Sequence, residues 1–322
     1  DTSDEWIRER TGIQERRYAE KHKESSSTMG AEAAKIAIER AGITNKDVDF
    51  IIFATLSPDY YFPGNAVLLQ RILGMNGIGA LDIRNQCSGF IYGLSIADQY
   101  VRSGMYKNVL VVGGEFHSCG LDFTTRGRNV TVIFGDGGGA VVVQPTTEEG
   151  KGVLSTHLHA DGDYAEKLAY INPGSHGGVH LGTEKYGYPD QEYGGIFFTD
   201  KMFEEGDYYP NMEGQQVFKI AVQKFPEVIM EALQTNGYSP ADIDLLVPHQ
   251  ANLRISQFVQ RVLKLKDDQV WNNIQKYGNT TAASIPIALC EAWEAGKVKE
   301  GDLVCLAAFG SGFTWGSALI RW

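Results

Sequence analysis

Short apolar runs alternate with amphipathic stretches along most of this chain. Runs rich in Val, Ile, Leu and Phe predict buried strands over residues 50–56, 109–115, 140–144, 245–249, 302–309 and 317–322. Apolar residues at helical spacing, often followed by a glycine, predict helices over residues 27–42, 88–103, 214–237, 252–265 and 282–296. Strands that alternate with helices in this way indicate an α/β fold.

The order of these elements repeats within the chain. Residues 41–57 resemble residues 236–252, and four pairs of matched residues in them are all separated by 195 positions. The glycine-containing turn and strand at 134–143 resemble those at 309–320. Self-similarity of this kind is the signature of a duplicated architecture, so we predict two related halves.

The predicted halves cover residues 1–150 and 213–322, and an irregular connecting segment covers residues 151–212. Its middle part, 161–211, is rich in Gly, Tyr, Asp and Pro and has no clear period. Long irregular segments inside compact domains are often functional. This one is therefore either a surface connection or a lid that forms a pocket wall, and the pattern favours neither.

Cys87 and Asn279 take similar places in the two halves. Each stands 17 residues before the glycine that closes its predicted helix, Gly104 or Gly296. We expect the two residues to occupy equivalent positions and to face each other at two helix N-termini. His249 ends a buried strand, and strand ends are where α/β folds gather catalytic groups. The pattern predicts a Cys, a His and an Asn at one site.

Each of these residue types has a chemical use at such a site. A helix dipole favours the thiolate form of an N-terminal cysteine, so we expect the Cys87 pKa to be lowered. An imidazole takes the thiol proton or donates a hydrogen bond to developing negative charge. An asparagine amide donates to an enolate without changing its own charge. The turn "FGSGFTWG" can aim backbone N–H groups at the same point, as an oxyanion hole does.

Composition narrows the functional classes. The 322 residues carry a formal charge of -11, which disfavours a general nucleic-acid role because phosphate binding needs a basic face. The four cysteines have neither disulfide-framework nor zinc-ligand spacing, so we expect no metal and a reducing, cytoplasmic location. We also expect no membrane span and no signal peptide, because there is no apolar stretch of sufficient length.

Nearly the whole chain resembles the family of β-ketoacyl-acyl-carrier-protein synthase III, the priming condensing enzymes of bacterial fatty-acid synthesis. The resemblance is carried by "NQCSGF", "VPHQANLRI", "YGNTTAAS" and "FGSGFTWGSALIRW", and also by "STMG", "IFGDG" and "STHLHADG". It implies a thiolase-like fold, with two similar halves in α-β-α-β-α layers, usually as a homodimer. It also implies that acyl-CoA and malonyl-acyl-carrier-protein are substrates and that no cofactor is used. Members of the family have a segment before the equivalent of Asp1, including a first strand.

The resemblance assigns roles to the three reactive residues. Cys87 would accept an acyl group from acyl-CoA, and His249 and Asn279 would stabilise the enolate that forms when malonyl-acyl-carrier-protein loses CO2. The backbone N–H groups of Cys87 and Ser311 would form the oxyanion hole. The family usually has glycine where Ser311 stands, but a backbone donor survives that change.

The resemblance also implies residues that bind coenzyme A. Trp6 and Arg10 match positions that sandwich the adenine, and Arg128 matches a nucleotide-contacting arginine, with Arg126 as a rival for that role. Asn252 matches a pantetheine-contacting asparagine.

Two further positions concern macromolecular partners. Phe62 resembles a phenylalanine that reaches into the acyl pocket of the partner subunit. Arg254 would help to dock the acidic acyl carrier protein, because the helix that carries it has a basic face with no acidic residue between Asn252 and Lys266. The basic residues of this face are Arg254, Arg261, Lys264 and Lys266.

Other functions stay open on the residues alone. The first alternative is a related ketosynthase of a specialised lipid or polyketide pathway that uses a longer acyl primer. A non-catalytic condensing-enzyme partner is a different class, but such subunits tend to lose the cysteine. A hydroxymethylglutaryl-CoA synthase is disfavoured by "GNTTAAS", and a papain-like hydrolase would not explain the duplicated halves.

Overall fold

The computed structural model describes residues 2–171, 174–175 and 200–322. In chain order, its strands are β1 (Phe50–Ala54), β2 (Gly79–Ile83), β3 (Val109–Glu115), β4 (Gly137–Val143), β5 (Gly152–Ala160), β6 (Leu168–Ala169), β7 (Asn211–Met212), β8 (Leu245–Pro248), β9 (Leu303–Gly310) and β10 (Thr314–Arg321). The helices are α1 (Asp4–Thr11), α2 (Ser26–Arg40), α3 (Asn65–Leu73), α4 (Gly89–Arg102), α5 (Arg128–Thr131), α6 (Asp200–Glu205), α7 (Gly214–Thr235), α8 (Leu253–Leu263), α9 (Ile274–Tyr277) and α10 (Ser284–Glu294).

Two four-stranded sheets share the same arrangement of three strands, which confirms the predicted duplication, and they differ in the edge at which the fourth strand lies. One has the order β2-β1-β3-β4 and the other β5-β10-β9-β8. In the first, β1 pairs in parallel with β3, which pairs antiparallel with β4. In the second, β8 pairs in parallel with β9, which pairs antiparallel with β10. The registers also agree, because Val109 pairs with Phe50 and Val304 pairs with Leu245, each 195 positions further along.

The two sheets and their helices form five layers, as the family resemblance implies. Helices α4 and α10 pack between the sheets, in a core that joins side chains such as Ile52 and Val111 to Val247 and Leu306. Helices α2 and α3 cover the outer face of the first sheet, and α7 and α8 cover the outer face of the second. The order is therefore α-β-α-β-α, and buried apolar side chains hold every layer to the next.

The pairing of Cys87 with Asn279 as equivalent residues was wrong. A tight turn precedes each central helix, at Gln86–Ser88 before α4 and at Thr281–Ala283 before α10. Both turns begin with a non-glycine residue of positive φ, Gln86 at 44° and Thr281 at 48°. The spacing of 195 thus matches Cys87 with Ala282 and leaves Asn279 three residues earlier. The error came from counting back from the closing glycines, because α4 has 14 residues and α10 has only 11.

The sequence pattern missed some elements. β5 lies inside the predicted connecting segment but forms the edge strand of the second sheet, paired antiparallel with β10. β2 is short, and Asp82 interrupts its apolar pattern. The Asp82 carboxylate accepts backbone hydrogen bonds from Asn65 and Ala66 at the start of α3. Much of the predicted lid, at 172–173 and 176–199, lies outside the described residues.

In the described ranges, no helix combines the length and the apolar character needed to cross a bilayer.

Candidate active site

Cys87 lies at the junction of the two halves, in the turn that leads into α4. Its side chain is 5% exposed and packs against Gly310 at the end of β9. A Cβ atom at position 310 would lie 2.5 Å from the Cys87 Cβ and 3.1 Å from its Sγ. Because real Cβ atoms do not approach so closely, the contact requires glycine at position 310 and brings the second half directly against the cysteine.

Two backbone N–H groups lie close enough to the Cys87 sulfur to lower the pKa of the thiol. One belongs to Cys87 itself and the other to Ser311, which follows β9. The Ser311 hydroxyl donates to the carbonyl of Leu168, so the side chain at this position is engaged away from the sulfur. A pair of convergent backbone donors is the arrangement that stabilises an oxyanion.

Burial decides the protonation of the thiol. Desolvation, with a smaller contribution from the charge of Glu115, raises the pKa of Cys87 to about 12, although hydrogen bonds from Thr281 and Ser311 lower it. The expectation that the helix dipole lowers this pKa was therefore wrong for the resting protein. A helix dipole contributes about 0.3–1 kcal/mol near the surface, and the desolvation of a buried charge costs more.

His249 follows β8 and points its outer nitrogen into the site. Its backbone N–H donates to Ala307, and its Nδ1 lies 2.6 Å from the Ser284 hydroxyl. Its Nε2 is buried and has no hydrogen-bond partner in the described structure. Burial lowers the His249 pKa to about 3, so the imidazole is neutral. An unpartnered buried nitrogen costs free energy unless a substrate engages it.

Asn279 is held by its own amide oxygen. Its backbone bridges to Phe134, and its Oδ1 accepts the N–H of Thr281 at 2.8 Å. Because the oxygen is used in this way, the Nδ2 group is the part of the amide that remains for a substrate. The prediction that Cys87, His249 and Asn279 come together agrees with the geometry, because all three line one cavity of about 140 Å³.

The rest of the cavity wall is largely apolar and comes mostly from the second half. Helix α7 supplies several side chains, and the short strands around residues 168 and 212 supply others. These residues include Leu168, Met212, Val217, Phe218, Ala221 and Phe309. A narrow apolar passage that ends at polar groups suits a long flexible substrate with a reactive end.

Trp6, Arg10 and Arg128 form a cluster at the surface. The guanidinium carbon of Arg10 lies 4.5 Å from the centre of the Trp6 ring, and that of Arg128 lies 5.6 Å from it. The rival Arg126 is engaged elsewhere, since its Nε donates to Asp122 at 2.6 Å and its guanidinium packs on Tyr209. The geometry therefore favours Arg128 over Arg126 as the partner of Trp6.

Asn252 connects this cluster to the cavity. It lines the cavity and caps α8, where its Oδ1 accepts the N–H of Arg254. Its Nδ2 donates to the backbone carbonyl of Arg10 at 3.1 Å. Arg254 is exposed and donates to the carbonyl of Glu9, so α1 and α8 are joined by two hydrogen bonds beside the basic face. Arg261, Lys264 and Lys266 of that face are also exposed.

Phe62 projects into solvent, with 80% of its surface exposed. It belongs to a loop whose neighbouring aromatic residues Tyr60 and Tyr61 are also exposed, and its peptide bond to Pro63 is cis. Large exposed apolar side chains that are grouped together mark a surface for interaction.

Sequence reasoning missed several residues that hold the site. Ser284 orients His249, and a buried set of Glu115, His117 and Thr281 lies next to Cys87. Thr281 and Ser284 left a signal, as hydroxyl residues immediately before and within the first turn of a predicted helix. The other contacts join residues far apart in the sequence, and no local pattern reports them.

Two family models match the sequence. The model described as 3-oxoacyl-[acyl-carrier-protein (ACP)] synthase III matches residues 81–162, which include Cys87. The model described as the C-terminal part of 3-oxoacyl-[acyl-carrier-protein (ACP)] synthase III matches residues 233–322, which include His249 and Asn279.

Curated relatives match over nearly the full chain. The β-ketoacyl-[acyl-carrier-protein] synthase III of Sulfurimonas denitrificans is 43% identical over 99% of this chain and 90% of the relative. The enzyme of the same name from Helicobacter pylori strain J99 is 45% identical over the same shares. Among solved structures, 3-oxoacyl-[acyl-carrier-protein] synthase III from Aquifex aeolicus VF5 is 42% identical, with a TM-score of 0.86 over 100% of this chain and 92% of that one.

Proposed function

The chain belongs to the β-ketoacyl-[acyl-carrier-protein] synthase III family, and from this premise we propose how its own residues carry out the reaction. It is a condensing acyltransferase that initiates fatty-acid synthesis with acyl-CoA and malonyl-acyl-carrier-protein. The observation that carries the residue assignments is the convergence of Cys87, His249 and Asn279 on one cavity. No cofactor enters the proposed steps.

In the first stage, Cys87 takes the acyl group. The unpartnered Nε2 of His249 accepts the thiol proton, and the sulfur attacks the thioester carbonyl of acyl-CoA. The resulting oxyanion accepts hydrogen bonds from the N–H groups of Cys87 and Ser311. Collapse breaks the carbon–sulfur bond to coenzyme A, whose thiolate takes the proton from His249. Acyl-Cys87 and free coenzyme A result.

In the second stage, malonyl-acyl-carrier-protein loses CO2. Before this stage the neutral His249 exchanges its proton with solvent and takes the tautomer that carries a proton on Nε2, while the Ser284 hydroxyl donates to the bare Nδ1. The electrons of the broken carbon–carbon bond form an enolate, whose oxygen accepts hydrogen bonds from Asn279 Nδ2–H and His249 Nε2–H. The enolate carbon attacks the acyl-Cys87 carbonyl, and collapse of the oxyanion expels the Cys87 thiolate, which is reprotonated from solvent. Ser284 supports both stages, because a hydroxyl can accept from the protonated Nδ1 or donate to the bare one.

Coenzyme A reaches the cavity from the Trp6 cluster. The adenine enters between Trp6 and the guanidinium of Arg10, which are in contact in the free protein and separate to admit it, and Arg128 contacts the nucleotide phosphates. The pantetheine arm then passes Asn252 into the apolar passage. Arg254 and the basic face of α8 lie beside this entrance, where they attract the acidic carrier protein.

We propose that the protein works as a homodimer and that the loop carrying Phe62 lies at its interface. Burial of three exposed aromatic side chains supports association, and Phe62 reaches into the acyl pocket of the partner. Sedimentation analysis of the wild type should give twice the chain mass. Phe62→Ala should retain the dimer but change the preferred acyl-chain length. A monomeric wild type, or an unchanged chain-length profile in the variant, would contradict this assignment.

The four free thiols fit a reducing compartment, so we place the reaction in the cytoplasm. In this proposal, the half that covers residues 1–150 contributes Cys87 to the reaction. The half that covers residues 213–322 contributes His249 and Asn279.

A two-stage assay tests the function. The protein is incubated with radiolabelled acetyl-, isobutyryl- and longer acyl-CoA, and peptide mapping should locate the label on Cys87. Addition of malonyl-acyl-carrier-protein should then release a labelled β-ketoacyl product. Failure of every acyl-CoA to label the protein, or full activity in Cys87→Ser, would refute the proposal. Comparison of the acyl-CoA substrates also distinguishes short-chain priming from a longer specialised primer.

A further inference from the structure

A second buried polar cluster touches Cys87 without lining the substrate cavity. It consists of Glu115 at the end of β3, His117 just after it, and Thr281 in the turn before α10. These side chains are 0%, 7% and 0% exposed. Buried polar groups of this number are costly to maintain unless they are hydrogen-bonded to one another or serve a site.

Thr281 is the member nearest the nucleophile. Its hydroxyl faces the Cys87 thiol and lowers the pKa of that thiol, and the same hydroxyl lies 2.7 Å from Nε2 of His117. Thr281 also has a φ of 48°, a conformation that β-branched residues rarely adopt. Such strain persists where surrounding contacts impose it, and it is concentrated at functional sites. The contact with His117 is one of those that hold this hydroxyl in place.

The surroundings decide which way these hydrogen bonds run. Oε2 of Glu115 lies 4.0 Å from His117 Nε2, beyond hydrogen-bond distance, and the negative charge of this carboxylate favours a proton on the Nε2 side of the ring. Burial lowers the pKa of His117 to about 3, so the ring is neutral and holds one proton. When His117 Nε2–H donates to the Thr281 hydroxyl oxygen, the hydroxyl proton of Thr281 is available to donate to the Cys87 sulfur.

Glu115 contacts the turn before α10 at Ala282, the residue after Thr281. Its carboxyl group accepts hydrogen bonds from Thr55, Leu56 and Ser57, and the N–H of Ala282 lies 3.5 Å from its Oε1. Ala282 is the counterpart of Cys87 in the duplicated halves. The position that holds Cys87 in the first half therefore holds, in the second half, a residue whose N–H helps to fix the turn that carries Thr281.

We propose that His117 and Thr281 form a positioning pair, in which the imidazole N–H orients the threonine hydroxyl so that its proton stabilises negative charge on the Cys87 sulfur. The pair complements the Ser311 N–H, which lies close to the same sulfur. The proposal rests on Cys87 being the nucleophile, and it makes His117 a residue that acts only through Thr281.

Alkylation of Cys87 by iodoacetamide tests the pair without any turnover. Mass spectrometry follows the rate between about pH 7 and 9, where the thiolate is the minor, reactive form. Thr281→Ala should slow the reaction about tenfold at each pH, the effect of one lost hydrogen bond to a charged group. Thr281→Ser keeps the hydroxyl and should stay within about threefold of wild type. Ser317→Ala, which removes a buried hydroxyl bonded to Val228, should leave the rate unchanged.

Variants of His117 show whether it acts through Thr281. His117→Leu should slow alkylation in the wild-type background but have little further effect in Thr281→Ala, because the two residues form one chain of contacts. His117→Gln retains an N–H donor and should preserve most of the rate. The unfolding midpoint of each variant is measured as well, so that a loss of stability can be distinguished from a change in the reactivity of Cys87.

Two results would overturn the proposal. One is an unchanged alkylation rate in Thr281→Ala. The other is a His117→Leu effect that persists in full in the double variant, which would assign His117 to packing against Phe134, its neighbour at 4.8 Å between ring centres. If the pair behaves as proposed while no acyl-CoA labels wild-type Cys87, the positioning pair stands and the proposed function fails.

Discussion

At the scale of single residues, burial makes the catalytic thiol and imidazole neutral. The Cys87 pKa lies at about 12 and that of His249 at about 3, and desolvation is the leading cause of both shifts. The resting site is therefore a neutral pair and not a thiolate–imidazolium pair. Charge develops only when substrate is present, and the donors of Ser311, Thr281 and Asn279 are already placed to receive it.

Asn279 offers a test of the second stage alone. Replacement of Asn279 by Ala removes the Nδ2 donor from the enolate, so decarboxylation should fall on the order of 100-fold, as for other oxyanion donors. Acylation of Cys87 by acyl-CoA should stay near the wild-type rate, because the first stage does not use this amide. Release of labelled CO2 and retention of acyl label measure the two stages.

The matched control is Asn273→Ala. Asn273 is also a buried asparagine, but its amide donates to Glu291 and does not line the cavity. This variant should lower the unfolding midpoint and leave the ratio of the two rates unchanged. Equal loss of acylation and decarboxylation in Asn279→Ala would mean that the amide supports the turn at Thr281 and not the enolate.

At the scale of elements, the turns before α4 and α10 have the same backbone geometry but position different side chains. One presents Cys87 to the cavity, and the other presents Thr281 to Cys87. Helix α8 is the second element with a distinct task, because Asn252 at its start adjoins the proposed coenzyme A entrance while its exposed side is basic.

The basic face of α8 predicts a separation of the two substrates. Arg254→Glu and Arg261→Glu reverse charges that lie two turns apart on the same side of the helix. Each should raise the KM for malonyl-acyl-carrier-protein roughly tenfold at low salt, and less at high salt, because screening weakens surface charge attraction. Acylation by acyl-CoA should change little.

Arg261→Glu is the cleaner of these variants, since Arg254 also donates to Glu9 on the helix that carries Trp6. Lys297→Glu gives the same change of charge on an exposed site outside this face. If Lys297→Glu raises the carrier-protein KM as much as Arg261→Glu does, general charge and not a docking face is responsible.

At the scale of the whole molecule, the site exists only because two similar halves pack face to face. Helices α4 and α10 share one core between the sheets, and Gly310 of the second half contacts Cys87 of the first. The same packing buries His117, His249 and Glu115, which ties the stability of the molecule to pH.

The two buried histidines should make the fold sensitive to acid. Their pKa values are about 3 in the folded chain, so below an ordinary value of about 6.5 the unfolded chain binds protons that the folded chain does not. Burial raises the Glu115 pKa to about 7, so the folded chain binds one extra proton from pH 7 down to the ordinary carboxyl value. The net excess in the unfolded state is one proton between about pH 6.5 and 4.5. The unfolding free energy should fall there by about 1.4 kcal/mol per pH unit from these groups.

Urea unfolding at a series of pH values measures this slope. In His117→Gln, one proton is lost from the excess, so the slope should be smaller by about 1.4 kcal/mol per pH unit than in wild type. The exposed His22 provides the control, as His22→Asn should leave the slope unchanged. A slope in His117→Gln equal to that of wild type would show that His117 is not held neutral in the folded chain.

Much of this architecture could be predicted from local pattern. Apolar runs and helical spacing located the principal strands and helices, and the repeat indicated two halves that the strand order then confirmed. The equivalence of residues at the starts of α4 and α10 could not be predicted from the glycines that follow them. These two helices differ in length, so counting back from their ends gives different positions. β5 was missed for a similar reason, since only its pairing with β10 makes residues 152–160 part of a sheet.

The sequence by itself determined the candidate reactive residues and the duplicated α/β framework, because residue type and periodicity are local properties that the chain carries in any conformation. Only the tertiary structure decided the surroundings of Cys87. His117 and Thr281 are 164 residues apart, and His249 and Ser284 are 35 apart, so their hydrogen bonds exist only after the halves have packed. The same packing excludes water from the sulfur and the imidazoles, and desolvation then sets their protonation.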